Sequence, residues 1–233
     1  MSAPYRFRAF WPTVMTVPAV VILVSLGLWQ LERKVEKEVL LATIEQGLAA
    51  PPVALPERIR NPGAWAYRPV TVSGEFDHSR ELYLYAPNRE GAAGYHVITP
   101  LARAGAGTVL VNRGWVPPEY KDPATRPEGQ IRGPVVISGV ARPSRAAGLF
   151  TPAPEPENRL WFSADLESMA EVVGGDVLPV LVDADATPNP GGFPVGGQTR
   201  IDIPNNHLDY ALTWFGLAVA LLVIYVVYLR RRR

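Results

Sequence analysis

The stretch ALTWFGLAVALLVIYVVYL, Ala211 to Leu229, decides the architecture. It runs for 19 residues without a charge. At 1.5 Å per residue such a helix spans about 28 Å, close to the roughly 30 Å hydrocarbon core of a bilayer. A helix of that length in a water-soluble core keeps a polar face, and this one has none. Trp214 near one end, and Tyr225 and Tyr228 near the other, suit an interfacial aromatic belt. The pattern predicts a transmembrane helix over residues 207–229, with His207 at its outer-surface start.

A second uncharged run, FWPTVMTVPAVVILVSLGLWQL, extends from Phe10 to Leu31. Pro12 and Pro18 fall near its start, where missing N–H donors cost least. Arg6 and Arg8 precede it, as in a signal peptide. No small-residue cleavage site follows, however, and the chain continues WQLERK. The expectation is an uncleaved span over residues 10–31.

Charge orients the molecule. The ends carry Arg6, Arg8 and Arg230 to Arg233, while Glu32 to Asn206 holds 17 Lys and Arg against 21 Asp and Glu. Basic flanks stay cytoplasmic, so residues 1–9 and the tail 230–233 are expected inside and residues 32–206 outside. Nine residues before the first span leave no room for a mitochondrial transit peptide. The expected location is a bacterial inner membrane, multi-pass, with the main domain in the periplasm.

Composition narrows the chemistry. The 233 residues include no cysteine, which excludes disulfide frameworks, thiolate metal sites and a cysteine nucleophile. The formal net charge of +1 provides no basic field for nucleic acid, and Arg230–Arg233 reads as a stop-transfer anchor.

The middle reads as β-rich. Glu32 to Leu48 mixes Glu and Lys with a partial apolar stripe, which predicts a helical extension of the first span. Pro51, Pro52 and Pro56 then stop it. Strands are predicted over 68–75, 81–85, 95–101, 108–115, 134–141 and 177–182, each apolar or β-branched and bounded by turn residues. Asp165 to Val173 reads as a short helix with Asp165 as N-cap and Gly174 at its end. Thr187 to Gly197 is a loop by composition. The expected fold class is membrane-anchored α+β, two transmembrane helices flanking an antiparallel β-rich, barrel-like periplasmic domain.

Motifs of catalysis are scarce. No GxSxG, Walker loop or HExxH occurs. Gly105-Ala-Gly107 lies before a strand and reads as a turn. Asp183-Ala-Asp185 opens like a calcium loop, but Pro188 and Pro194 fall where Gly and Glu are required. Nothing assembles a nucleophile, base and oxyanion hole, so an enzyme is not expected.

The three histidines say more. His78, in a turn, and His96, in a strand, read as structural, each lacking a second ligand or partner base. His207 precedes the second apolar run, and His207, Ala211 and Trp214 share one helical face at i, i+4 and i+7. An imidazole beside a small residue and an aromatic, at a lipid boundary, suits an axial ligand for a lipophilic metalloporphyrin. A wet interfacial capping histidine is the other reading.

Several stretches together resemble the surfeit locus protein 1 (Shy) family of cytochrome oxidase assembly factors. They are LGLWQLER (Leu26–Arg33), YRPVTVSGEFDH (Tyr67–His78), GYHVITPL (Gly94–Leu101), VLVNRGWVP (Val109–Pro117), FTPAPEPENRLWFSADLESMA (Phe150–Ala170) and NNHLDYALTWFGLA (Asn205–Ala218). The similarity runs in family order from about Pro12 to Arg230. One departure is Glu36 before Lys37, where the family has Trp-Lys.

The resemblance implies a factor that binds haem a and aids its insertion into the catalytic subunit of a haem-copper oxidase. The haem ligand that the resemblance implies is the His of NNHxxYAxTWF, here His207, as the axial ligand of the iron, with Trp214 packing at the same cofactor. The implied partners are that catalytic subunit, haem a synthase and membrane lipid. The alternative is a scaffold or accessory subunit that contacts the oxidase without haem transfer; only the carrier needs His207. Arg113, in VNRGW, reads either as a surface ion pair, worth at most about 1 kcal/mol, or as part of a face turned to the membrane or a partner.

Overall fold

The computed structural model describes residues 5–199 and 205–231, without the side chains of residues 5–9 and 40. The first residues of the expected cytoplasmic N-terminus, the stretch 200–204 of the expected outer domain, and Arg232 and Arg233 of the basic tail lie outside the described residues. The chain divides into two compact units, one made of Met1–Thr43 and Asp202–Arg233, the other of Ile44–Ile201.

The first unit is a pair of long helices, most of α1 (Tyr5–Leu48) and all of α3 (His207–Arg230). Both are long and apolar enough to cross a membrane. Their outer sides expose Phe10, Trp11, Val21, Ile22, Leu212, Val219 and Ile224. The helix begins at Tyr5, before the apolar run, so Pro12 and Pro18 are interior positions. Each removes one ladder hydrogen bond, which apolar helices accommodate by local adjustment. The charged extension continues the helix unbroken to Leu48. It carries the pairs Arg33–Glu36 and Lys34–Glu38 at 2.7 and 2.6 Å, exposed contacts worth about 0.3–0.5 kcal/mol each.

The two helices meet through small and polar side chains. Thr16 of α1 and Ala211 and Ala218 of α3 are buried. Gly27 packs under the ring of Phe215, which occupies the space a Cβ would need. Thr13 Oγ1 and Tyr225 OH lie 2.6 Å apart. Small residues let helices approach until dispersion contacts form. Gly27→Ala is therefore expected to destabilise the pair by about 1–3 kcal/mol, the usual range for overpacking. Gly216→Ala, where nothing lies within 4 Å, is expected to be neutral or stabilising. Thermal unfolding of the two variants in detergent checks this, and equal midpoints would contradict it.

The second unit is a sheet that closes on itself. Its strands are β1 (Val53–Ala54), β2 (Arg68–Phe76), β3 (Leu82–Tyr85), β4 (Tyr95–Ala102), β5 (Thr108–Val116), β6 (Pro134–Pro143), β7 (Leu160–Trp161) and β8 (Val177–Ala184). The order is β1-β2-β6-β8-β5-β4-β3-β7, and β2 also pairs with β4 through Glu75↔Ala102 and Phe76↔Leu101. Strands β2, β6, β8, β5 and β4 thus form a ring. All six predicted strands are present within about two residues.

The sheet is not purely antiparallel as expected. β5–β8, β1–β2 and β3–β7 pair parallel. Between β5 and β8 lie β6, β7 and the helix α2 (Leu166–Val173), a connection long enough for β8 to return in the direction of β5.

Period-two alternation sends Val70, Val72, Val109, Val111, Val180 and Val182 into one core. The opposite faces of β4, β5 and β8 send Ile98, Leu110 and Leu181 into a second core, closed by Trp161, Leu166, Met169 and Val173. α2 covers that face. Asp165 caps it, accepting from the Ser168 backbone N–H at 3.4 Å, and Gly174, at φ 72°, ends it. Strand β5, buried on both faces, is accordingly apolar at consecutive positions.

Candidate functional site

Two residues 177 positions apart define the candidate site. Gln30 is the next-to-last residue of the uncharged run of α1, and His207 opens α3. Both are half-buried. His207 Nδ1–H donates to Gln30 Oε1 at 2.6 Å. Among the described residues Nε2 has no hydrogen-bond partner. Ala211 and Trp214 lie on the same side of α3, Ala211 buried and Trp214 half-buried. Trp214 stands about 10 Å further along the axis, and no ring contact joins it to His207 among the described residues.

A metal-binding imidazole characteristically spends one nitrogen on an oxygen acceptor and keeps the other for the metal. The pair His207–Gln30 has that form. No group of three or more His, Cys, Asp and Glu converges among the described residues, so His207 would act as a lone axial donor rather than as part of a closed cage.

Gln30 was not a predicted site residue. Its signal was nonetheless present, since a carboxamide inside an otherwise uncharged apolar run needs a partner on a neighbouring helix.

Arg113 corrects both sequence expectations. It is 2% exposed, so it neither forms a surface ion pair nor faces a membrane or a partner. The reason is a β-bulge. Asn112 pairs with Ile98 and Gly114 with Val97, which leaves Arg113 as the extra residue. Gly114 takes φ 129°, and the Val195 carbonyl fills the space where a Cβ would stand, so this turn of the strand requires glycine.

The bulge aims Arg113 at a buried charge cluster. Its Nη2 donates to Gly129 O at 2.6 Å and to Asn189 Oδ1 at 2.9 Å, and its guanidinium lies 4.8 Å from the Phe76 ring centroid. Glu81 is the centre of the cluster, at 1% exposure. Arg126 Nη2 donates to its Oε2 at 2.6 Å, Arg113 Nη1 lies 3.8 Å from its Oε1, and His78 Nδ1 is 3.2 Å from the same oxygen. Burial alone would raise the Glu81 pKa. The His78 hydrogen bond, the Arg126 hydrogen bond and charge, and the Arg113 charge outweigh it and hold the carboxylate at about 2. Burial lowers Arg113 to about 10 against the pull of Glu81.

Through Arg126, Arg113 and the bond from His78 Nε2 to Ile131 O at 2.8 Å, this one carboxylate ties the segment 117–131 to the barrel. The cluster is structural.

The other polar candidates are also structural. His96 is buried beside Asn112, whose Nδ2 donates to its Nδ1 at 3.3 Å, and burial lowers its pKa. Asp183 is 1% exposed and accepts from Arg142 Nη1 at 2.8 Å and Asn112 Nδ2 at 2.9 Å, which accounts for the rejected calcium pattern.

Comparison with known proteins bears on the same stretches. A model of the SURF1 family matches residues 17–219. Surfeit locus protein 1 of Mus musculus is 39% identical over 222 residues, 89% of this chain and 71% of the mouse protein. The Homo sapiens protein of that name is 39% identical over 212 residues, 84% of this chain and 70% of its own length. A SURF1-like protein of Monosiga brevicollis is 40% identical over 245 residues, 99% of this chain and 91% of its own.

Proposed function

The chain belongs to the SURF1 family, and from that membership we propose that it is a membrane-anchored assembly factor for a haem-copper terminal oxidase, not an enzyme. In this reading it binds haem a and aids its insertion into the catalytic subunit, with that subunit and haem a synthase as partners. The observation that carries the haem part is His207, with Nδ1 engaged by Gln30 and Nε2 without a hydrogen-bond partner among the described residues.

The chemistry suits a carrier. Haem a has a long isoprenoid tail, so a site where an apolar helix begins lets the tail stay in lipid while imidazole meets the iron. A single protein ligand also releases its cargo more readily than a closed coordination shell. Trp214, on the same side of α3, is the proposed packing partner of the macrocycle.

In the same reading α1 and α3 cross a bacterial inner membrane, both termini are cytoplasmic and the barrel is periplasmic. Reporter fusions at Arg233 and within residues 187–197 are expected to report opposite sides. Matching reports would remove the two-span arrangement.

A second reading has one observation in its favour. Leu149 and Phe150, at 92% and 95% exposure, form an apolar tip on the barrel unit, as a scaffold that docks on oxidase subunits would need. The two readings separate in cells. His207→Ala is expected to leave the protein's amount unchanged while oxidase haem a content falls several-fold. Normal oxidase in that variant would overturn the carrier reading. Loss of oxidase in Leu149→Ser/Phe150→Ser, with haem binding intact, would favour the scaffold.

A further inference from the structure

We propose that Gln30 is a positioning residue for His207: its amide oxygen holds the imidazole proton on Nδ1, so that Nε2 presents its lone pair as the metal-binding atom. This rests on the haem reading above and adds the residue that prepares the ligand.

The inference starts from a geometric fact. Gln30 Oε1 is 2.6 Å from His207 Nδ1. A carboxamide oxygen only accepts, so the bond requires Nδ1–H, and in the neutral ring that leaves Nε2 without a proton. Without such an acceptor a neutral histidine side chain in water favours Nε2–H, which has no lone pair on Nε2 to offer a metal. The same contact fixes the direction of the ring. Imidazoles that bind metals are oriented in this way by their second nitrogen, most often through a carboxylate or a backbone carbonyl. Near the end of the apolar run of α1 a neutral carboxamide serves the same purpose without placing a second charge there.

The surrounding packing holds the acceptor in reach. Gly27, one helical turn before Gln30, lets α3 approach closely at Phe215. The hydroxyl contact between Thr13 and Tyr225 is a further tie between the two helices. Helix association therefore has supports other than Gln30, and its carboxamide is free to serve the imidazole.

The test reads the tautomer directly. The chain has only three histidines, so the full-length protein labelled with 15N-histidine gives three imidazole patterns, assigned through His78 and His96 variants. At a pH well above the ordinary imidazole pKa of about 6.5, and without haem, His207 is expected to show protonated Nδ1 and bare Nε2. Gln30→Leu is expected to move it toward Nε2–H. Gln30→Glu, which keeps an acceptor, is expected to retain Nδ1–H.

Titration with iron porphyrin then follows the same order, with Gln30→Leu weakened about 10–100-fold and Gln30→Glu close to the parent chain. Nε2–H in the parent protein, or an unchanged pattern in Gln30→Leu, would overturn the proposal. If the tautomer obeys Gln30 while neither the parent nor the variants bind haem, the carrier reading fails and so does the positioning role built on it. Because the tautomer is read without haem, the two failures are distinguishable.

Discussion

Glu81→Ala is expected to cost the barrel unit about 3–5 kcal/mol, the range for removing one partner of a buried ion pair. The deletion strands Arg126 and Arg113, at 4% and 2% exposure, without their shared carboxylate. It also frees the segment 117–131, which Glu81 ties to the barrel. A domain of ordinary stability has about 5–15 kcal/mol in total, so the variant is expected to be partly unfolded at growth temperature. Denaturation of the full chain in detergent, followed by tryptophan fluorescence, to which buried Trp161 contributes, measures the loss. Near-parental stability would contradict it.

The same carboxylate predicts an acid transition. Its pKa in the folded protein is about 2, below the ordinary 4.5. The unfolded chain therefore takes up a proton first as pH falls. The stabilisation is complete above about pH 4.5 and disappears as pH falls toward 2. The shift corresponds to about 3 kcal/mol. Glu81→Gln, which cannot ionise, is expected to flatten that part of the stability profile. An unchanged acid slope would assign the transition to other carboxylates.

The second large effect falls on His207. His207→Ala removes the iron's proposed ligand, and haem affinity is expected to drop roughly a hundredfold or more, the equivalent of about 3 kcal/mol. The helix pair should survive. It loses one interhelical hydrogen bond, worth about 0.6 kcal/mol, and keeps the packing of Gly27 on Phe215 and the Thr13–Tyr225 contact. The barrel strands belong to the other compact unit. Trp214→Ala is expected to do less, about 1 kcal/mol, the scale of an aromatic contact rather than a metal bond.

Much of this fold follows from local pattern. Both apolar helices, six of the eight strands, and α2 with its Asp165 cap were legible because each shows its period or its end signals within its own residues. β1 and β7 were not, since two residues cannot show an alternation. The parallel pairing of β5 with β8 was hidden for a different reason. Val109–Val111 and Val180–Val182 reveal strands but not their neighbours.

The candidate site divides the same way. His207 stands out in the sequence by its place before an apolar run and by the family motif around it. Gln30 shows in the sequence only as a carboxamide within an apolar run, and its partner lies 177 residues away, where no local pattern points to it. Arg113 misled for the converse reason. Its neighbours in VNRGW suggested an exposed site, while the bulge that turns it inward depends on register against β4.

The carrier reading stands most directly on the visible spectrum of the intact, full-length protein purified from a host that makes haem a, beside the spectrum of His207→Ala purified in the same way. The account predicts a haem absorption band in the parent protein that is nearly lost in the variant, with equal amounts of folded, membrane-extracted protein. Full haem binding by His207→Ala would contradict it.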